Sequence, residues 1–176
     1  MHVDAINQKV LGYLGRALSL ELSAVQLYST QARFVTNWGL DKAAERLQHE
    51  SREEMQHVDR IIARMLAKGA VPGASQLRPV SLGLDLLSLL KINRQFEMEL
   101  VDLYQEAVNF CQQSQDVNDQ LFFQGLLEEE QEHVAGLSKW IAGIEEKNST
   151  GAAYGESRNI ARGANKRSRV GNWKTV

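Results

Sequence analysis

Two Glu-x-x-His segments, Glu54-Met55-Gln56-His57 and Glu130-Gln131-Glu132-His133, stand 76 residues apart in a chain of 176. Residues three apart share a helix face, so each segment would aim a carboxylate and an imidazole at one point. Two such helices facing each other make a metal site. Both segments lie inside apolar stripes of helical period: Leu47, Val58, Ile61, Ile62, Met65 and Leu66 around the first, and Phe123, Leu126, Leu127, Val134, Leu137, Ile141 and Ile144 around the second. The acid and the imidazole therefore interrupt faces that ought to be core. Buried carboxylates require hydrogen bonds or a cation in compensation, and a shared metal centre provides it for all of them at once.

The elements that must position these residues are four long helices. The first spans about 3–37, with Val10, Leu14, Leu18, Val25, Tyr28, Ala32 and Val35 on one face, Glu21 among them, and Gly39 suited to the C-terminal cap. The second runs from Asp41, an expected N-cap, to Lys68, where Gly69 stops it. Residues 69–83, with Pro72, Gly73 and Pro79, are too many for a tight turn and suit a crossover strap between parallel helices. The third helix covers about 84–111, with Leu86, Leu90, Phe96, Leu100, Val101, Tyr104 and Val108 inward and Glu97 interrupting them. A polar link, 112–116, leads to the fourth, about 117–147. No strand-period alternation occurs before residue 148. The fold class is all-α: a four-helix bundle over 1–147 with a long crossover between helices two and three, followed by an extension over 148–176.

Each helix then offers metal-binding chemistry from its core face: Glu21, Glu54 with His57, Glu97, and Glu130 with His133. A single Glu from each of two helices and a Glu-x-x-His from each of the other two is the donor set of a di-iron or di-manganese bundle. Carboxylates bridge hard cations, imidazole completes each shell, and the absence of thiolates argues against structural zinc. Iron is the redox-active choice. The competing reading of Glu128 to Glu132 as a solvated charge run holds for an isolated Glu-x-x-His, but six ligand-type residues on four inward stripes outweigh it.

Composition narrows the setting. Hydrophobic residues make up 43%, prolines number 2, and no apolar run is long enough to span a membrane. The start carries no signal-peptide pattern, and Cys111, the single cysteine, has no internal disulfide partner, so the cytoplasm is the expected location. The net charge of −2 is divided unevenly, because seven Lys/Arg face Glu156 alone in residues 147–176, leaving an acidic body and a basic end. That end, rich in Gly and polar residues, reads as a flexible tail or as a short helix around 156–162. Its cations are suited to phosphate, an acidic partner or, as the lesser expectation, salt-sensitive contact with DNA.

Several segments together resemble the bacterioferritins. They are Glu21-Leu22-x-Ala24-x-x-x-Tyr28 with Ala32-Arg33 and Asn37-Trp38-Gly39-Leu40; His49-Glu50-Ser51 with Glu54-Met55-x-His57-x-Asp59-Arg60; and Glu97, Glu106-Ala107 and Glu130-x-x-His133. The resemblance covers about residues 4–145. It implies ferritin-like bundles assembled from dimers into a 24-subunit homo-oligomeric cage, which oxidises ferrous iron with dioxygen or peroxide and stores it as ferric mineral, with a reductase or ferredoxin as a partner for release. It implies Glu21 and Glu97 as terminal iron ligands, Glu54 and Glu130 as bridges, and His57 and His133 completing the coordination of a ferroxidase centre. Tyr28 is implied as a redox-active or hydrogen-bonding neighbour, against the alternative of a packed core tyrosine.

The same resemblance implies an inner-surface iron site at His49, Glu50 and Glu53, although members often carry Asp where this chain has Glu53; a solvated polar face is the alternative. Met55 points about 100° around the helix from Glu54. There the family pairs a methionine with its symmetry mate to hold haem b between two subunits. Simple packing is the alternative, and the neighbours Leu22, Val25, Gln26 and Gln48 are richer in glutamine than the family's haem pockets. Ile61 and Gly136 stand where some relatives carry tyrosine and tryptophan, and Trp140 is the candidate substitute for electron routing. Two other functions stay open at this point: a smaller di-iron oxidase or peroxide-consuming enzyme, and a partner- or nucleic-acid-binding protein acting through its basic tail.

Overall fold

Helix boundaries in this chain are set by caps rather than by apolar period. The computed structural model describes residues 7–155, with side chains as far as Ser149. Helix α1 (Gln8–Thr36) opens after Asn7, whose Oδ1 accepts from the Lys9 and Val10 N–H groups at 3.1 and 3.4 Å. The portion expected from Val3 to Ile6 lies outside the described residues. Helix α2 (Asp41–Ala67) corrects one expectation: Leu40 occupies the cap position without a side-chain bond, and Asp41 is the first helical residue. Its carboxylate sits in the first turn, where the helix dipole favours negative charge.

Helix α3 (Leu86–Gln113) begins later than Leu84 because Asp85 and Ser88 form a capping box. The Ser88 N–H donates to Asp85 Oδ1 at 2.7 Å, and the Asp85 N–H donates to Ser88 Oγ at 3.1 Å. Just before it, Gly83 has φ +71°, and a Cβ there would lie 2.7 Å from the Leu89 nitrogen, so only glycine fits. Helix α4 (Val117–Gly155) continues past the expected end at Lys147. Extending a formed helix costs little, one Gly does not stop it, and Ser149 Oγ donates back to the Glu145 carbonyl at 2.9 Å. The expected short helix at 156–162 and the basic tail lie outside the described residues.

Cross-helix bonds give the topology. Tyr28 and Gln31 of α1 meet Glu97 and Asn93 of α3, while Glu21 meets Tyr104, so α1 and α3 are antiparallel. Ser29 on Ser51 and His57 near Glu21 make α1 and α2 antiparallel too. Helices α2 and α3 are therefore parallel, and residues 68–85 form the crossover strap that parallel neighbours require. The strap lies along α1: the Gln76 and Arg78 N–H groups donate to Ser19 and Ser23 Oγ, and the Ser81 carbonyl accepts from Gln31 Nε2 at 2.8 Å. This is the ferritin-like four-helix bundle. Among the described residues, no helix is long and apolar enough to cross a membrane.

The core divides into two apolar clusters. One gathers Leu14, Leu18, Ile61, Leu100, Val108, Phe123 and neighbours; the other gathers Ala32, Val35, Leu47, Leu89, Leu90, Leu137 and Ile141. Of the expected stripes, Leu66 is the clear exception at 55% exposure, and Val25, Ile62, Leu86, Phe96, Val101, Val134 and Ile144 are only half-buried. Position 66 lies about 100° around the helix from the inward Met65, toward the exposed side.

Near one end of the bundle, the buried Asp119 of α4 receives Arg64 at 2.6 Å and Lys68 at 2.5 Å from the end of α2. Burial pushes this carboxyl up, and the hydrogen bonds led by Lys68 outweigh it, so the group sits below its ordinary value. A depressed carboxylate adds stability that is present above its unfolded pKa and is lost as pH falls through the folded value. Asp119→Ala should cost about 1.5–3 kcal/mol at pH 7. In urea titrations that deficit should shrink below about pH 4, and a deficit independent of pH would assign the loss to packing instead.

Candidate metal centre

Between the two apolar clusters lies a layer of ionisable side chains contributed by all four helices. Glu21, Glu54, Glu97 and Glu130 are fully buried, and His57 and His133 are 3% and 13% exposed. Their atoms are cross-wired. Glu54 brings Oε2 to 3.2 Å from His57 Nδ1 and Oε1 to 3.0 Å from His133 Nδ1. Glu130 brings Oε1 to 2.8 Å from His57 Nδ1 and Oε2 to 3.4 Å from His133 Nδ1. Each of these two carboxylates thus presents one oxygen to each imidazole, which is the geometry of a bridge.

Glu21 stands on the His57 side, 3.5 Å from Nδ1. The ligand atoms fall into two overlapping sets, Glu21, Glu54, His57 and Glu130, and Glu54, Glu97, Glu130 and His133, each compact enough to surround one ion. Both oxygens of Glu54 and of Glu130, one oxygen each of Glu21 and Glu97, and both Nδ1 atoms are buried without a hydrogen-bond partner. Atoms that approach within 2.8–3.5 Å yet do not align as donor and acceptor are directed at common points rather than at one another. Buried polar atoms left this way are costly unless a cation occupies those points. Oxygen and imidazole donors suit iron or manganese, so the residues fit the ions their types imply.

Electrostatics agrees with geometry. Burial raises Glu21 and Glu97 well above the ordinary carboxylate range, with Glu130 adding to the push on the first and Glu54 on the second. Burial also works against His133, yet the carboxylates of Glu130 and Glu54 beside it push its pKa up to about 12, while Glu130 itself is held at about 2.

Two tyrosines complete the layer. Tyr28 of α1 donates to Glu97 Oε1 of α3, and Tyr104 of α3 donates to Glu21 Oε1 of α1. Burial raises both hydroxyls, with the neighbouring carboxylates adding to it, so both remain protonated donors. Tyr104 is read from sequence only as a core residue, although it stands 76 positions after Tyr28, the offset that separates the two Glu-x-x-His segments. Glu129 is also missed, its place in a charge run concealing its contact. Its Oε2 lies 2.8 Å from His57 Nε2, and Arg60 Nη1 holds both of its oxygens, at 2.8 and 2.6 Å.

A recess of about 570 Å³ opens beside both His57 and His133, lined among others by Arg46, His49, Glu50, Glu53, Glu129 and Glu132. Glu50, Glu53 and His133 form a third group compact enough for an ion, whereas His49 stays at the rim, exposed and 3.8 Å from Glu53. Met55 lies off the carboxylate face and is 40% exposed. Trp140 is half-buried, with the Arg46 guanidinium 4.2 Å from its ring centre.

The ferritin-like domain family matches residues 11–146, which contain every residue of this layer. A bacterial ferritin of Neisseria meningitidis is 34% identical over 79% of this chain and 90% of its own length, and a bacterioferritin of Rhodobacter capsulatus is 34% identical over 76% and 83%. The chain belongs to the bacterioferritin family. A solved structure of the Rhodobacter capsulatus bacterioferritin superposes with a TM-score of 0.76 at 33% identity, covering 80% of this chain and 88% of that one. That protein has a metal-free dinuclear site and heme iron on a crystallographic special position. Membership places this chain among the iron-storage ferritin-like proteins, and the basic residues after 147 fall outside the matched segment.

Because the unpartnered atoms define two ion positions, Co²⁺ should bind at two equivalents per chain and raise the melting temperature. A free concentration of a hundred times Kd adds about 2.7 kcal/mol per site. Scanning calorimetry at increasing Co²⁺ checks this, and an unmoved transition would contradict the assignment.

Proposed function

We propose that this chain is an iron-storage ferroxidase. Ferrous iron is its substrate, bound as a pair at the carboxylate layer, oxidised there, and stored as ferric mineral inside a cage built from 24 copies. The observation that carries the reading is the sharing of Glu54 and Glu130 between two imidazoles, which supports one site for two ions rather than two separate sites. Glu21 and Glu97 serve as terminal ligands, Glu54 and Glu130 as bridges, and His57 and His133 through Nδ1. Four carboxylate charges and two divalent ions sum to zero, so the loaded layer can remain buried between apolar clusters.

Two adjacent ferrous ions supply two electrons together. Dioxygen then takes up two protons to become hydrogen peroxide, or hydrogen peroxide takes up two protons to become two waters, and neither route releases a one-electron product. The chain's own residues set the conditions. Tyr28 and Tyr104 orient the terminal carboxylates, and the flanking apolar clusters keep bulk water from the ions. On the recess side, Glu50 and Glu53 next to His133 provide oxygen ligands for iron moving between the layer and the interior, with His49 at the rim. Tyr28, like Tyr104, is in hydrogen-bond contact with a terminal ligand, which suits it to donate an electron.

The test is aerobic addition of excess ferrous iron to the full-length protein, followed by sizing chromatography and iron assay. Retention of hundreds of ions per cage-sized particle is expected, and about two ions per chain on a small particle would instead identify a di-iron oxidase. Glu130→Ala should slow oxidation by at least the 10–100-fold that loss of a supporting residue around a metal costs.

We assign Met55 as the axial ligand of a haem shared between two subunits. Support comes from its exposure on the face turned away from the carboxylates and from the heme of the Rhodobacter capsulatus relative. Its half-buried neighbours Leu22 and Val25 offer apolar contact. Met55→Leu should yield a folded protein without the haem Soret band; retention of that band would remove the assignment.

A further inference from the structure

The two halves of the metal layer repeat one motif and differ in one support. Glu53-Glu54-x-x-His57 on α2 and Glu129-Glu130-x-x-His133 on α4 are offset by 76 residues, and the first glutamate of each turns to the histidine of the other. Glu129 Oε2 reaches His57 Nε2 at 2.8 Å, a hydrogen bond. Glu53 Oε2 stands 3.7 Å from His133 Nε2, beyond hydrogen-bond range, and its other oxygen is 3.8 Å from His49.

The difference has a residue behind it. Arg60 Nη1 grips both oxygens of Glu129, and the position 76 residues after Arg60 is Gly136. The cation on that side, Arg46, is committed elsewhere: its Nη2 donates to the Gly136 carbonyl at 3.3 Å, its Nε stands 3.5 Å from Glu50, and its guanidinium covers Trp140. Both imidazoles line the recess, but His57 is held, at 3% exposure, while His133 stands at 13% with no hydrogen-bond partner on Nε2 among the described residues.

A histidine that binds metal through Nδ1 must carry its proton on Nε2, and an acceptor on Nε2 fixes both that tautomer and the ring's direction. We propose that Arg60 and Glu129 are positioning residues that clamp His57 as an Nδ1 ligand, and that the absence of this clamp at Gly136 makes the two metal subsites unequal. The subsite of Glu21, Glu54, His57 and Glu130 fills first and holds its ion more tightly. The subsite of Glu54, Glu97, Glu130 and His133 fills second and exchanges with the recess. The inference rests on the two-ion reading above and adds an order of filling to it.

Co²⁺ is a suitable probe, because it is redox-stable in air in such a site and its visible absorption reports each binding step. Titration of the full-length protein should resolve two steps whose Kd values differ by about 10-fold or more, and His133→Ala should remove the weaker one. Arg60→Ala and Glu129→Gln should each weaken the tighter step by about 10–100-fold, with the weaker step unchanged. Arg60→Lys should restore part of the loss. The untouched second step serves as the control for folding, since a merely destabilised bundle would lose both. Two equal steps in the unmodified protein, or equal weakening of both steps in Arg60→Ala, would overturn the clamp and leave the two-ion centre standing. Failure of the unmodified protein to bind Co²⁺ at all would overturn both.

Discussion

Four carboxylates enclosed between two apolar clusters are the constraint on which the rest of this molecule depends. Burial alone would drive each of them to take up a proton. The structure instead concentrates them, adds two imidazoles, and leaves their lone pairs aimed at two common points. Such a layer stabilises nothing by itself. It is tolerable because leucine, valine and aromatic packing above and below carries the fold, and because divalent charge can neutralise it. The two tyrosine hydroxyls have the same logic, each giving a buried terminal carboxylate one neutral donor that does not compete for the metal position.

That requirement explains the connectivity. Ligands must arrive from four helices at one level, with the two Glu-x-x-His segments antiparallel so that each glutamate meets the other's histidine. Antiparallel α1–α2 and α3–α4 pairs satisfy this only if the second pair is inverted relative to the first. The return path then has to run the length of the bundle. Residues 68–85 supply it as backbone without regular structure, and their N–H and carbonyl groups find partners in Ser19, Ser23 and Gln31 along α1.

Much of this was legible in the sequence, and the boundary of legibility is physical. The six buried candidate ligand positions and the parallel crossover follow from helical period and from the poor helix-forming character of residues 69–83, since a carboxylate on a core face contradicts its surroundings wherever it occurs. Helix starts were less legible. Asp41 has the chemistry of a cap and Leu40 does not, yet the chain turns into helix at Leu40, because the turn at Trp38 and Gly39 decides the entry. Glu129 and Arg60 were hidden for a different reason: both belong to classes ordinarily found on solvated helix faces, and their pairing joins two helices 69 residues apart in sequence. Periodicity reports which side of one helix is wet and carries no information about what stands opposite.

The 76-residue offset makes a further distinction between what the site demands and what packing permits. Glu21, Tyr28, Glu54 and His57 recur without change as Glu97, Tyr104, Glu130 and His133, whereas several core positions change identity within one class, Leu47 becoming Phe123, Ile61 becoming Leu137 and Met65 becoming Ile141. Apolar volume can be redistributed between neighbours, but a ligand atom cannot be moved. The exchanges that leave the apolar class then mark where the halves have different tasks. Gln31 and Asn93 form a buried reciprocal amide pair, and their counterparts are the buried alanines Ala107 and Ala17. Where the strap passes this level of α1, its Ser81 carbonyl accepts from the buried Gln31 Nε2. At the level of Ala17 and Ala107 the side chains carry no polar atom to satisfy. Arg60 opposite Gly136 breaks the symmetry in the same way, His57 held through an ion pair at 3% exposure and His133 without that support at 13%.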